Sequence, residues 1–128
     1  MGASRLLSGV TMLAVMACWT PAAAVAGTLP GEAVFRAHCA NCHSLTGKLS
    51  TIAPDLTGIV GRKVAALKDY QYSAALRSVD FTWTPEKLDQ WLHSPHSVVV
   101  ETEMAFPGLP REKDRHDVIE FLKQHFAK

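Results

Sequence analysis

The sequence has no surplus of charge of either sign: 13 Lys plus Arg stand against 12 Asp plus Glu. A chain without a basic face has little with which to neutralise a phosphate backbone, which argues against nucleic-acid binding. Cysteine is scarce, at three residues, and Cys18 lies in an N-terminal apolar segment. Cys39 and Cys42 alone cannot build a disulfide framework, and with no second pair they are only half of a structural zinc site. Methionine is scarcer than its count of four implies, since Met1, Met12 and Met16 fall in the same N-terminal segment and leave Met104. No stretch alternates as a half-buried strand does, and no repeat or low-complexity tract is present.

Residues 1–26 read as a secretory signal. Arg5 supplies the positive start and Leu6 to Ala17 is apolar apart from Ser8, Gly9 and Thr11. Ala24, Val25 and Ala26 form a small-residue cleavage site, so the mature chain is expected to begin at Gly27. An uncleaved anchor is the alternative, because Leu6 to Ala26 is nearly long enough to span a bilayer; Pro21 and the small residues after it favour cleavage. Cleavage leaves 102 residues, 27–128, enough for one small domain. It also removes Arg5, so that the mature charges balance at 12 of each sign.

What the chain does have is Cys39-Ala40-Asn41-Cys42-His43, a C-x-x-C-H run. This is the attachment signature of a c-type haem. Two thiols three positions apart at the end of a helix can form thioethers with the two vinyl groups of one haem edge, and the next residue then offers an imidazole to the iron. The competing readings are a thioredoxin-like redox pair, which needs a βαβ setting, and a structural disulfide in an exported domain.

The remaining pattern is helical. Pro30, Gly31 and Glu32 open a helix that runs into the haem motif, with Pro and Glu suited to a first turn. Residues 53–63, Ala53 to Lys63, carry turn residues at fixed offsets and no helical period. A short helix is expected over Ser73 to Ser78. Thr84-Pro85-Glu86 is a capped start, after which Leu88, Trp91 and Leu92 recur at i, i+3 and i+4 until Pro95 stops the helix. Ser94 to Pro110 reads as an extended loop. A last helix is expected from about Arg111 to His125, with Val118, Phe121, Leu122 and His125 on one face. The expected class is all-α: three to five helices and long loops wrapped around a large central object.

These pieces occur in a fixed order. Gly31 and Phe35 precede Cys39-x-x-Cys42-His43, then come Pro54-x-Leu56-x-Gly58-x-x-Gly61-Arg62-Lys63, Tyr72-Ser73 and Trp83. Leu88-x-x-Trp91-Leu92-x-x-Pro95, Met104-x-Phe106-x-Gly108 and Arg115-x-x-Val118-Ile119-x-Phe121-Leu122-Lys123 follow. In register from Gly31 to Lys128, the chain resembles a class I cytochrome c of the short soluble mitochondrial and bacterial kind. The resemblance implies one haem c, covalent through Cys39 and Cys42, and a first helix crossing the last where Gly31 permits close approach. It implies that the Pro54 carbonyl accepts a hydrogen bond from His43 and that Arg62, Tyr72, Trp83 and Thr102 surround the haem propionates, with Tyr70 as the rival to Tyr72. Trp91 would lie over the haem on the methionine side. Met104 would be the second axial ligand of the iron opposite His43; His93 and His96 are its rivals, and His38, His116 and His125 are surface or helix-end residues.

One departure stands out. Where the family usually has Pro-Gly-Thr-Lys before the methionine, this chain has Val100, Glu101, Thr102 and Glu103. The functional expectation is an exported monomeric carrier, bacterial and periplasmic, passing single electrons between larger redox proteins such as membrane oxidoreductases or oxidases, with no bond chemistry of its own. The alternatives are a haem enzyme or gas sensor with an open sixth position and a membrane-anchored electron-transfer subunit.

Overall fold

A computed structural model describes residues 28–48 and 51–125; the signal segment and its cleavage site lie outside them. Five helices follow in order: α1 Pro30–His38, α2 Ala74–Ser78, α3 Pro85–His93, α4 Pro95–Val98 and α5 Glu112–Lys123. No named strand occurs among the described residues, and Lys63 and Thr82 form a single isolated antiparallel bridge. The architecture is the expected all-α one.

Local chemistry fixes the helix ends. The Thr84 hydroxyl accepts from the Lys87 N–H at 3.2 Å, and Pro85 takes the first helical position where its missing N–H costs nothing. Ser73 caps α2 in the same way, accepting from Leu76 at 3.3 Å, so the helix itself starts one residue after the expected Ser73. α1 has no side-chain cap; Pro30 starts it, and Glu32 in its first turn pairs with Arg36 at 2.6 Å.

Two expectations are corrected. Ser94 to Pro110 is not extended throughout: Pro95 ends α3 and at the same time opens α4, a single turn too short to show a period. The last helix runs only from Glu112 to Lys123, with Arg111 as its extended N-cap.

α1 crosses α5 at Gly31. A Cβ there would lie 2.0 Å from the Asp117 carbonyl oxygen and 2.6 Å from Phe121 Cβ, so only hydrogen fits. One turn on, Phe35 meets Phe121 with ring centroids 5.7 Å apart. Val118 is fully buried, and Leu88, Trp91 and Leu92 of α3 join Phe35, Val118, Ile119, Phe121 and Leu122 in one core cluster. Cys39, Leu56 and Met104 pack against that cluster's margin, which brings three distant segments of the chain to one place.

Candidate functional site

The haem motif begins where α1 stops. Cys39 is the C-cap, and the N–H groups of Cys42 and His43 both return to its carbonyl, at 3.1 and 2.9 Å. This turn folds Cys39 to His43 into one compact unit. Cys39 is half-buried, Cys42 is exposed, and no disulfide joins them. Burial pushes the Cys39 thiol up to about 11.

His43 Nδ1 lies 2.8 Å from the Pro54 carbonyl oxygen. A carbonyl only accepts, so Nδ1 carries the proton and the lone pair is left on Nε2. Burial lowers the pKa of His43 below its ordinary value, against the opposing effects of the Pro54 bond and the nearby Asp55 charge. The ring is therefore the neutral, metal-ligating form at neutral pH.

Behind it stands a residue that the sequence reading passed over. Asp55 is buried, and its carboxylate accepts from the Ser44 hydroxyl, the N–H groups of Thr46 and Gly47 at 3.0 Å each, and the Thr57 N–H at 2.8 Å. Burial alone would raise its pKa; the Ser44, Thr57 and Thr46 donors outweigh that and hold it below the ordinary carboxylate range. A signal was available, since Asp bonding to the N–H two residues on is an Asx turn.

The four expected propionate partners are distributed as follows. Arg62 is half-buried and donates to the carbonyls of Thr57 and Asp55 at 3.1 and 2.8 Å, so much of its guanidinium is committed to the backbone. Tyr72 is buried and its pKa is raised, first by burial, with Arg62 acting against the rise. Tyr70 is more exposed; its hydroxyl donates to the Ile52 carbonyl at 3.4 Å and its ring meets Tyr72 edge-on at 4.8 Å. Trp83 and Trp91 are both buried and stack edge to face at 5.1 Å. Thr102 is buried, and its hydroxyl oxygen accepts from the Met104 N–H at 3.3 Å, which leaves its own O–H to donate.

Met104 is half-buried at the core margin. The rivals for its role are both exposed: His93 ends α3, and His96 Nδ1 is engaged with the Val100 carbonyl at 3.2 Å. His38 and His116 are exposed, whereas His125 is half-buried, its ring 4.4 Å from Phe121. Past the methionine, Gly108 has φ +105°, and a Cβ there would be 2.1 Å from the His93 carbonyl oxygen. The Leu109 N–H then bonds the Leu92 carbonyl at 2.7 Å. Arg115, a second residue not singled out for burial from sequence, donates to Asp89 at 2.7 Å and to the carbonyls of Leu109 and Pro110 at 2.9 and 3.1 Å.

This donor set fits a haem c. It offers two thiols in one turn, a neutral imidazole with Nε2 uncommitted, a thioether at the core margin and an indole N–H on Trp83 that donates to no described residue. No group of three or more His, Cys, Asp or Glu among the described residues could hold a bare metal ion, as the zinc reading would require.

A family model for cytochrome c matches residues 29–126. The chain belongs to the cytochrome c family. It carries one haem c, attached covalently through Cys39 and Cys42. It is similar to the cytochrome c-type cyt cy of Rhodobacter capsulatus, 39% identical over 102 residues that cover 80% of this chain and 51% of that protein. It is also similar to cytochrome c of Cochliobolus lunatus, 38% identical over 95 residues, covering 73% of this chain and 88% of the relative. The Tetrahymena pyriformis cytochrome c is 41% identical over 93 residues, with 73% and 84% coverage. The chain thus spans about half the length of the bacterial relative and most of the length of the other two. No helix among the described residues is long and apolar enough to cross a membrane.

Proposed function

We propose that this cytochrome c is an exported, monomeric, single-electron carrier whose iron is held by His43 and Met104. The observation that carries the reading is the His43–Pro54 hydrogen bond at 2.8 Å, which fixes the tautomer and orientation of a neutral imidazole. When bound, the haem supplies the one-electron Fe(II)/Fe(III) couple. His43 and Met104 would hold the iron in both oxidation states, so that little would move as the charge changes, and the thioether would raise the potential. Trp83, Trp91 and the core around them exclude water from the methionine side. Arg62, Tyr72, Trp83 and Thr102 offer donors for the propionates, and Tyr72 is favoured over Tyr70 by its deeper burial.

The partners are larger redox proteins, membrane oxidoreductases or oxidases, met transiently. Residues 1–26 are removed on export to the bacterial periplasm, leaving a domain over 27–128. Balanced charge supports weak rather than steered docking: Lys63 is already paired with Asp80 at 2.8 Å, and Glu101 and Glu103 lie exposed on the methionine loop.

Absorption spectra of the oxidised and reduced protein test this reading. The wild type is expected to be low-spin in both states, with the weak red-end band of thioether–iron ligation, and slow to bind carbon monoxide. Met104→Ala should lose the band, bind carbon monoxide readily and show a lower potential, while His93→Ala and His96→Ala change neither spectrum nor potential. A wild type already high-spin, or indifferent to loss of Met104, would replace the carrier by an enzyme or sensor. N-terminal sequencing of exported protein checks that the chain starts at Gly27.

A further inference from the structure

The most heavily hydrogen-bonded side chain of the site is not one that the attachment motif nominates. Asp55 is 8% exposed, yet its two carboxylate oxygens collect four donors. Three of them, from Ser44, Thr46 and Gly47, belong to the segment that follows His43 directly. The fourth, Thr57, belongs to the segment that holds Pro54, the acceptor for His43. The carboxylate therefore clamps together the two stretches of chain between which the imidazole hydrogen bond is made.

The chemistry of the four donors requires a charged group. A carboxylate accepts on both oxygens, whereas an amide would turn a donor NH2 either on Thr57 or on Ser44, Thr46 and Gly47. No cation among the described residues makes a contact ion pair with this charge. Arg62, the cation beside it, gives its hydrogen bonds to the Asp55 and Thr57 carbonyls instead. In the low dielectric of a buried site, such a charge acts at several ångströms more strongly than it would in water.

We propose that Asp55 is a positioning residue for the iron's histidine ligand and a determinant of the reduction potential, its buried negative charge favouring the ferric over the ferrous state. This rests on His43 being that ligand, as read above. The carboxylate acts through two routes with the same sign. It keeps His43 bonded to Pro54, which makes the imidazole the stronger donor, and its field stabilises the more positive iron.

The test is a spectroelectrochemical titration of the intact haem-loaded protein, with the wild-type spectrum recorded first. A low-spin spectrum together with hyperfine-shifted ring resonances of His43 in the ferric wild type settles the ligand reading by itself, so any later failure belongs to Asp55 alone. Asp55→Asn should raise the ferrous-to-ferric ratio at a fixed applied potential by about tenfold, a rise of about 59 mV for one electron. Ser44→Ala keeps the charge and the three backbone donors, and should move the ratio by less than threefold. Should Asp55→Asn fail to fold, Asp55→Ser, small enough for water to replace the carboxylate, carries the same expectation. The hyperfine-shifted ring resonances of His43 in the ferric protein should move in the Asp55 variants and not in Ser44→Ala. An unchanged potential in a folded Asp55 variant, or an equal rise in Ser44→Ala, overturns the proposal.

Discussion

The two sides of the site are held in opposite ways. On the histidine side the ties around the ring cross between two segments, His43 to Pro54 and Ser44, Thr46 and Gly47 to Asp55, while Arg62 braces the second segment through the carbonyls of Asp55 and Thr57. On the methionine side the loop bonds mainly to itself. Thr102 N–H meets the Val99 carbonyl at 3.1 Å, Met104 N–H the Thr102 hydroxyl at 3.3 Å, and Phe106 N–H the Met104 carbonyl at 2.8 Å. Its ties to the rest of the fold come after Met104, at Gly108, Leu109 and the Arg115 guanidinium. A histidine pre-set by cross-links and a methionine moored beyond its own loop should respond differently to damage. Losing the first threatens the fold, whereas losing the second opens a position and leaves the fold standing.

The sharpest way to test that contrast is to add one methyl group at the α1–α5 crossing, on the helix that leads into the haem motif, and one beyond the methionine loop. Gly31→Ala places a Cβ 2.0 Å from the Asp117 carbonyl oxygen, and Gly108→Ala places one 2.1 Å from the His93 carbonyl oxygen. Both contacts are with backbone that cannot swing aside, and Gly108 adds the strain of φ +105°. Each should cost about 3 kcal/mol in denaturant unfolding. The spectrum separates them. Gly31→Ala should keep the red-end band until the whole molecule unfolds, while Gly108→Ala should lose it at denaturant concentrations where far-ultraviolet circular dichroism is still native.

Arg115→Met is the next test, and a milder one. It strips hydrogen bonds from the Leu109 and Pro110 carbonyls and frees Asp89, with an expected loss of about 1–3 kcal/mol. Carbon monoxide binding by the ferrous protein should quicken with little change in the haem's covalent attachment. Equal weakening of both sides, read as a potential shift matching that of the Asp55 variants, would erase the distinction.

The smallest effect concerns encounter rather than structure. Exposed charges act over a Debye length of about 8 Å at physiological ionic strength, and those on the methionine loop are acidic. Exposed Lys48 and Lys68 attract an acidic partner while Glu101 and Glu103 repel it, so electron-transfer rates with such a partner should fall only shallowly as salt is added. Replacing Glu101 and Glu103 by Gln should raise the low-salt rate by no more than a few-fold. A steep salt dependence that survives the double substitution would mean that another surface steers docking.

What the sequence disclosed about this site follows from how local each feature is. The haem motif is legible because covalent attachment demands residues adjacent in the chain. α3 is legible because Thr84, Pro85 and the Leu88, Trp91, Leu92 spacing lie within three turns. α4 escaped because four residues carry no period, and its opening Pro95 is equally well read as a stop. Asp55 and Arg115 escaped for a different reason. Each is a charged residue whose expected place is the surface, and each is buried because partners beyond its own turn meet there. Donors such as the Thr46 and Gly47 N–H groups have no side-chain identity, so nothing in the letters marks them out.

The close crossing at Gly31 also says something about how the chain is threaded. Leu29, Pro30 and Gly31 share a shallow groove with Asp117, Glu120, Phe121 and Gln124, so the residue that leads into α1 and the residue that follows α5 are neighbours in space. The domain is topologically close to a ring. In the natural order the Gly31–Phe121 contact closes a loop of about 90 residues, which costs about 2 kcal/mol more in chain entropy than closing one of about ten. A circular permutant joining residue 124 to residue 29 by a short linker, and opened in an exposed loop, would turn this distant contact into a local one.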